Sequence, residues 1–281
     1  MTEAELYTVY KGVFLPTALH SPESLKYYEE FSFRPDDIIV VTYPKSGTTW
    51  SQEILPLILS GGDAAAIETL PNWDRVPWLE ELRACVLDLE QRPSRRVFAT
   101  HFHYNMMPPS FFKTKPQVIY IMRNPKDVFT SSFHYYGMAS YLVNPGTQKE
   151  FLHKFLDGKI MFGSWFDHIK GWLNAEDQER ILYIAYEEMI MVRFSAILLK
   201  TALTFEKCVS PNYRNAYLLS FCLLSTKTTA LVNCIIIQLV ACYFSGIAGD
   251  WKNQLTVAEA EYFDAVYKEK MKDVKYKFVW D

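Results

Sequence analysis

The residues with the clearest chemistry lie in one short run, Thr42-Tyr43-Pro44-Lys45-Ser46-Gly47-Thr48-Thr49-Trp50. Gly47 lets a backbone approach a ligand closely. Ser46, Thr48 and Thr49 add hydroxyls beside the free amides of an expected helix start, and Lys45 brings a mobile positive charge to the same place. A phosphate or sulfate would meet amides, hydroxyls and an ammonium together. The order is not that of the common nucleotide-triphosphate loop, in which lysine follows the last glycine, because here Lys45 precedes Gly47. The plain alternative is a strand-to-helix turn with a solvent-facing lysine. His101 is the second candidate, since an imidazole of near-neutral pKa can remove a proton from an acceptor hydroxyl at pH 7. A hydrogen-bonded core histidine would look the same in sequence. Arg123 and Ser131, eight residues apart, follow a third such turn.

Each candidate stands at the end of an apolar run. Ile38 to Tyr43 is nearly continuous in β-branched and apolar residues, the pattern of a strand buried on both faces. Val97-Phe98-Ala99 leads to Thr100-His101, Gln117 to Met122 leads to Arg123-Asn124-Pro125-Lys126-Asp127, and Ile181 to Tyr186 leads to Glu187-Glu188. Between them, helices are expected from Thr49 to Ser60 with Gly61-Gly62 as the stop, from Trp78 to Gln91, from Val128 onward, and from Gly163 to Ala175. Ser21-Pro22, Thr147 with Glu150, and Thr256 with Glu259 read as helix caps. The final helix should turn Tyr262, Phe263, Val266 and Met271 inward. The alternation predicts an α/β fold: a central parallel sheet flanked by helices, with a P-loop-like phosphosulfate-binding turn. Ligands of such sheets bind at the carboxyl ends of the strands, where Lys45, His101, Arg123 and Tyr186 all fall.

Composition narrows the partner. The chain has 281 residues, 49% of them hydrophobic, which is ample for a core. A net charge of -3 argues against a nucleic-acid surface and points to a small ligand. Five cysteines without a CxxC pair suit free thiols in a reducing compartment. The amino-terminal residues show no basic-then-apolar signal pattern, so a cytoplasmic location is expected.

Beyond Met189 the texture changes. Residues 191–245 hold four of the cysteines, and no charge falls between Lys227 and Asp250, a run of 22 residues. That length raises the alternative of a membrane span, but Asn233, Gln238, Ser245 and Gly246 interrupt it, so membrane association is not the expectation. A kinase would need a carboxylate for magnesium, for which Glu187 or Glu188 could serve. Against a kinase stand the placement of Lys45 and a histidine at the second strand end.

TYPKSGTTW at Thr42–Trp50, Thr100-His101, RNPKDV at Arg123–Val128 with Ser131, the GSW at Gly163, YEEM at Tyr186 and GxxGDWK at Gly246–Lys252 occur in one order. Together they make the chain resemble the vertebrate cytosolic sulfotransferases, and within them members of subfamily six B. The likeness covers Leu15 to Met189 and Gly246 to Asp281, in a single domain over residues 1–281. It implies sulfuryl transfer from 3′-phosphoadenylyl sulfate (PAPS) to a hydroxyl or amine of a small acceptor, a phenol, an alcohol or an iodothyronine-like compound, without metal. It further implies Lys45 as leaving-group stabiliser and His101 as base. Donor-binding roles would fall to Lys45, Ser46, Gly47, Thr48, Thr49, Trp50, Arg123, Ser131, Tyr186 and Gly246. Lys252, Thr256, Val257 and Glu261 match the family's KxxxTVxxxE homodimer segment. Two departures stand out: Ala99 replaces a lysine usual two residues before the histidine, and residues 191–245 do not match, with Phe244-Ser245 where an Arg-Lys pair precedes the glycine. Losing those cations should weaken the hold on a 3′-phosphate, and an alternatively or aberrantly read exon would explain the segment. A catalytically silent binding or dimerising relative is the contrasting reading.

Overall fold

The computed structural model describes residues 3–60, 63, 65–191 and 248–280. Residues 192–247, and with them Gly246 and most of the divergent segment, lie outside the described residues, as do Gly61 and Gly62.

A hairpin of β1 (Tyr7–Tyr10) and β2 (Val13–Pro16) precedes a four-stranded sheet of β3 (Ile38–Thr42), β4 (Val97–Thr100), β5 (Gln117–Met122) and β6 (Ile181–Ala185). The spatial order is β4-β3-β5-β6 and every pair is parallel. In register, Val41 stands beside Thr100 and Tyr120, and Met122 beside Ala185, which brings four carboxyl ends to one edge. Every residue of β3 is buried. Ile38 and Val40 pack on one face with Ile54, Leu55 and Leu57 of the helix that follows, while Ile39 and Val41 join Phe98, Tyr120, Trp165 and Trp172 on the other. The unbroken apolar run is therefore the mark of a strand covered twice.

The helices needed below are α1 (Pro22–Glu30), α2 (Thr48–Leu59), α3 (Pro125–Met138), α4 (Gln148–Leu156), α5 (Trp165–Leu173), α6 (Tyr186–Met191) and α7 (Val257–Met271). Capping boxes at Ser21, Thr147 and Thr256 open α1, α4 and α7, each side chain accepting the amide three residues on. Beneath the sheet, Arg96 is paired with Asp37 at 2.6 Å, both almost fully buried.

Three expectations need correction. The segment from Trp78 to Gln91 is no helix. Ala99 donates its amide to Pro77 and accepts the amide of Leu79, so this stretch adds itself to the edge of β4, and Leu82–Val86 forms a 3-10 helix. The apolar spacing misled because the unpaired edge of β4 claims the backbone there. β6 ends at Ala185, with Tyr186 opening α6. On α7, Phe263 and Met271 are buried and Val266 packs against the core, but Tyr262 is 44% exposed.

Candidate active site

A cleft of about 590 Å³ opens at the carboxyl edge of the sheet. Lys45, Gly47, Thr48, Thr49, Trp50, His101, Arg123, Ser131 and Tyr186 all line it. Ser46 lies just beneath, fully buried.

The turn from β3 into α2 shows why its sequence is so particular. The Ser46 amide closes the turn on the Tyr43 carbonyl at 3.1 Å, so it is spent and cannot serve a ligand as expected. Its hydroxyl, buried, has no partner among the described residues, an acceptor-seeking group left for an anion. Gly47 sits at φ 107° as N-cap of α2, a conformation other residues reach only with strain. A Cβ there would also stand 2.8 Å from the Tyr186 ring. The helix ladder begins with Ser51 donating to Gly47 O, so the first-turn amides that precede it have no helical acceptor and carry the positive end of the dipole. Thr48 does not face a ligand with its hydroxyl, which lies 2.5 Å from that of Thr42. Lys45, itself at φ 68°, holds its ammonium 4.0 Å from the centre of the Tyr135 ring. Burial, with the Arg123 charge next to it, brings the Lys45 ammonium down to about 8.

His101 follows β4 and is oriented on three sides. Its Nδ1 lies 2.8 Å from the Thr42 carbonyl and so carries the proton. The other nitrogen, Nε2, accepts from the Trp78 indole N–H at 3.2 Å. The main-chain amide of His101 donates to the buried carboxylate of Glu80 at 2.8 Å. These partners assign a neutral imidazole with the basic lone pair on Nε2, and burial pushes the group down to about 4. At neutral pH the ring is a proton acceptor.

Another wall of the cleft is built on β5, α3 and α6. Arg123 donates through one terminal nitrogen to the Lys45 carbonyl at 2.8 Å and lies 4.3 Å over the Tyr186 ring. Tyr186 in turn meets Trp50 edge-on at 6.4 Å. Asn124 caps α3, whose Asp127, Ser131 and Tyr135, four residues apart, face the cleft together. Glu187 and Glu188, the carboxylates a magnesium-dependent kinase would need, each accept a main-chain amide, of Asn124 and Ala185. Among the described residues no group of His, Cys, Asp and Glu is arranged to hold a metal.

Several functional positions were not singled out from sequence. Asp127, buried, accepts the amides of Gly249 and Trp251 at 2.7 and 3.1 Å and so ties the residues after Gly246 to the cleft. Phe162 meets the His101 ring at 5.0 Å, and Tyr135, Tyr141, Trp78, Met161 and Leu19 add aromatic and apolar groups to the cleft lining. For the aromatic residues the one advance sign is the chain's 16% aromatic content. Lys252, Thr256, Val257 and Glu261 are all exposed, away from the cleft.

A lysine-bearing anion turn facing a neutral imidazole across a partly aromatic cleft defines a group-transfer site that activates a hydroxyl and takes an anionic donor. The chain belongs to the sulfotransferase family: the family model for the sulfotransferase domain matches residues 35–275. It is 40% identical to mouse sulfotransferase 2B1 over 98% of this chain and 83% of that one. It is 38% identical to a rabbit amine sulfotransferase, over 97% of this chain and 93% of the relative. Human sulfotransferase 2A1 shares 35% over 97% and 98%. These relatives replace the expected leaning toward subfamily six B, which they do not support. In fold, a mouse sulfotransferase solved with PAP superposes with a TM-score of 0.70 at 28% identity, covering 96% of each chain.

Proposed function

We propose that this enzyme transfers a sulfuryl group from PAPS to a hydroxyl or amine of a small, largely apolar acceptor, and that it does so in the cytosol. The observation that carries the reading is the pairing of Lys45 and His101 in one cleft, with the imidazole held in the tautomer that leaves Nε2 basic. The relatives bear on the acceptor: one is named for amines, and two from guinea pig are named for 3-alpha- and 3-beta-hydroxysteroids. A hydroxysteroid, a phenol or an amine each suits a cleft walled by Trp78, Tyr141 and Phe162.

The residues fit a phosphosulfate donor. The unpartnered Ser46 hydroxyl, the first-turn amides of α2, Thr49 and the Lys45 ammonium converge where such a group would lie. PAPS would supply the sulfuryl group and a phosphate leaving group. Lys45 and the amides stabilise the charge that grows on the leaving oxygen, and His101 Nε2 takes the acceptor's proton once that hydroxyl replaces the Trp78 N–H. Trp50 and Tyr186 would hold the base, Arg123 and Ser131 the 3′-phosphate. The assignment of Gly246 to the same phosphate rests on the family segment alone. No cation stands at Phe244-Ser245, so the 3′-phosphate is held by fewer charges, at a cost on the order of 1.5–3 kcal/mol for each charged hydrogen bond lost. Weak donor binding follows; tight stoichiometric binding of the desulfated donor would contradict it. We also take the chain as one domain and the exposed Lys252, Thr256, Val257 and Glu261 as a small homodimer contact, to be checked by sedimentation of Val257→Glu.

Incubation with sulfur-labelled donor and a panel of hydroxysteroids, phenols and amines tests the reading. Labelled product that disappears in His101→Ala is the expected result. Magnesium-dependent ATP turnover with no sulfated product would overturn it.

A further inference from the structure

One charged group in the cleft has no part in the steps above. Glu81 lines the same cavity as Lys45 and His101, one residue after the glutamate that holds the His101 amide. Glu81 is half-buried, and among the described residues its carboxyl makes no hydrogen bond or ion pair. Glu80 accepts from His101, and Arg83, the nearest cation along the chain, is held by both oxygens of Asp74. The cleft that Glu81 lines is also walled by Trp78, Tyr135, Tyr141 and Phe162. Burial and the charge of Glu80 push the carboxyl up to about 8, the state of an acid that lacks a cation. Tyr141 senses it, its phenol being raised first by burial and then by Tyr135 and Glu81.

We propose that Glu81 is a specificity-determining residue that recognises an alkylammonium group on the acceptor, so that the preferred acceptors are phenols or alcohols bearing a protonated amine away from the reacting hydroxyl. A carboxylate among aromatic rings is the arrangement that recognises an alkylammonium, the acid supplying a charged hydrogen bond and the rings a cation–π contact. The cleft is then polarised. Lys45 and Arg123 meet the anionic donor and repel an ammonium, while Glu81 gives up its proton to meet the cationic end of the acceptor. An unpaired carboxyl also penalises a wholly apolar acceptor, which would strip its water and return nothing.

This inference rests on the sulfuryl-transfer reading for its substrate class, and its test is chosen so that the two can fail separately. Tyramine and its neutral isostere para-propylphenol are compared with wild type, Glu81→Gln and Glu81→Lys, both as acceptors and as ligands of the PAP-loaded protein by calorimetry. The expected result is a preference for tyramine that falls on the order of tenfold in Glu81→Gln, seen in KM and in the binding constant. In Glu81→Lys it should turn toward para-hydroxyphenylpropionate. Because the ratio of two acceptors is read, a variant that folds poorly lowers both and leaves the ratio intact. Binding selectivity that depends on Glu81 without any transfer would sustain the inference and remove the sulfuryl-transfer reading. Equal binding of tyramine and para-propylphenol by wild type, or a ratio unchanged in Glu81→Gln, overturns the inference.

Discussion

At the scale of the residue, two perturbed groups set the expected pH profile. His101, buried and lowered to about 4, is already a free base over most of the accessible range, and Lys45, lowered to about 8, keeps its proton below that pH. The rate constant kcat/KM should therefore rise near pH 4, stay level, and fall above about pH 8 as the ammonium is lost. Lys45→Arg should carry the alkaline limb beyond the range, because guanidinium does not titrate there. Lys45→Met should lower kcat by roughly 10²- to 10³-fold, the usual loss when one charge-stabilising donor is removed. His101→Ala should lower it by about 10²- to 10⁴-fold. Trp78→Phe removes the N–H that occupies Nε2, so the His101 pKa should rise, moving the acid limb upward. A limb that stays in place in Trp78→Phe would show that the indole does not hold the lone pair in solution.

At the scale of the element, the turn between β3 and α2 and the cap of α3 carry the site. Gly47→Ala asks an L-residue to hold φ 107° and to place a methyl 2.8 Å from the Tyr186 ring. The turn must open or Tyr186 must leave, and the donor KM should rise while thermal stability falls modestly. Asp127 anchors the carboxy-terminal loop to the cleft. It binds two main-chain amides, of Gly249 and Trp251, from a segment far away in sequence. Asp127→Ala leaves two half-buried donors unpaired, at about 1–3 kcal/mol each. Its expected signature is weakened binding of PAP in calorimetry together with a lower Tm. An unchanged PAP affinity would mean that the loop contributes nothing to the donor end.

At the scale of the whole molecule, protons are distributed unusually. His20 and His101 are lowered by burial from 6.5 to about 4, and His103 and His168 are lowered as well. Glu80 and Glu81 are raised by burial from 4.5 to about 7 and about 8. Between pH 4.5 and 6.5 the unfolded chain holds more protons on the histidines and the folded one more on the glutamates, so the two sets oppose one another. Above 6.5 the histidines are neutral in both states and the folded state still holds the glutamate protons, with Lys45 opposing them only as pH nears 8. Stability then falls as pH rises toward 8. A calorimetric scan should give a lower Tm at pH 8 than at 6.5, and Glu81→Gln should shrink the difference. A Tm that rises across that window would refute the account.

Much of this was legible in the chain itself. A β-branched run passing into Pro-Lys-Ser-Gly-Thr-Thr can only be a twice-covered strand feeding a helix, because period, turn residues and capping are local properties. The four strand ends, the capping boxes at Ser21, Thr147 and Thr256, and the shared edge of Lys45, His101 and Arg123 followed from that. Local spacing could not show that residues 77–79 would abandon a helical pattern to pair with β4, since the hydrogen bonds they gain come from Ala99, distant in sequence. Nor could it show that the Ser46 amide is spent inside the turn, that Trp78 closes on Nε2, that Asp127 reaches Gly249, or that Glu81 lines the cleft with no hydrogen-bond partner among the described residues. Those facts depend on which distant groups meet in three dimensions. A residue's type limits what it is able to do, whereas its pKa, its tautomer and its available hydrogen bonds are set by neighbours that only the packed chain supplies.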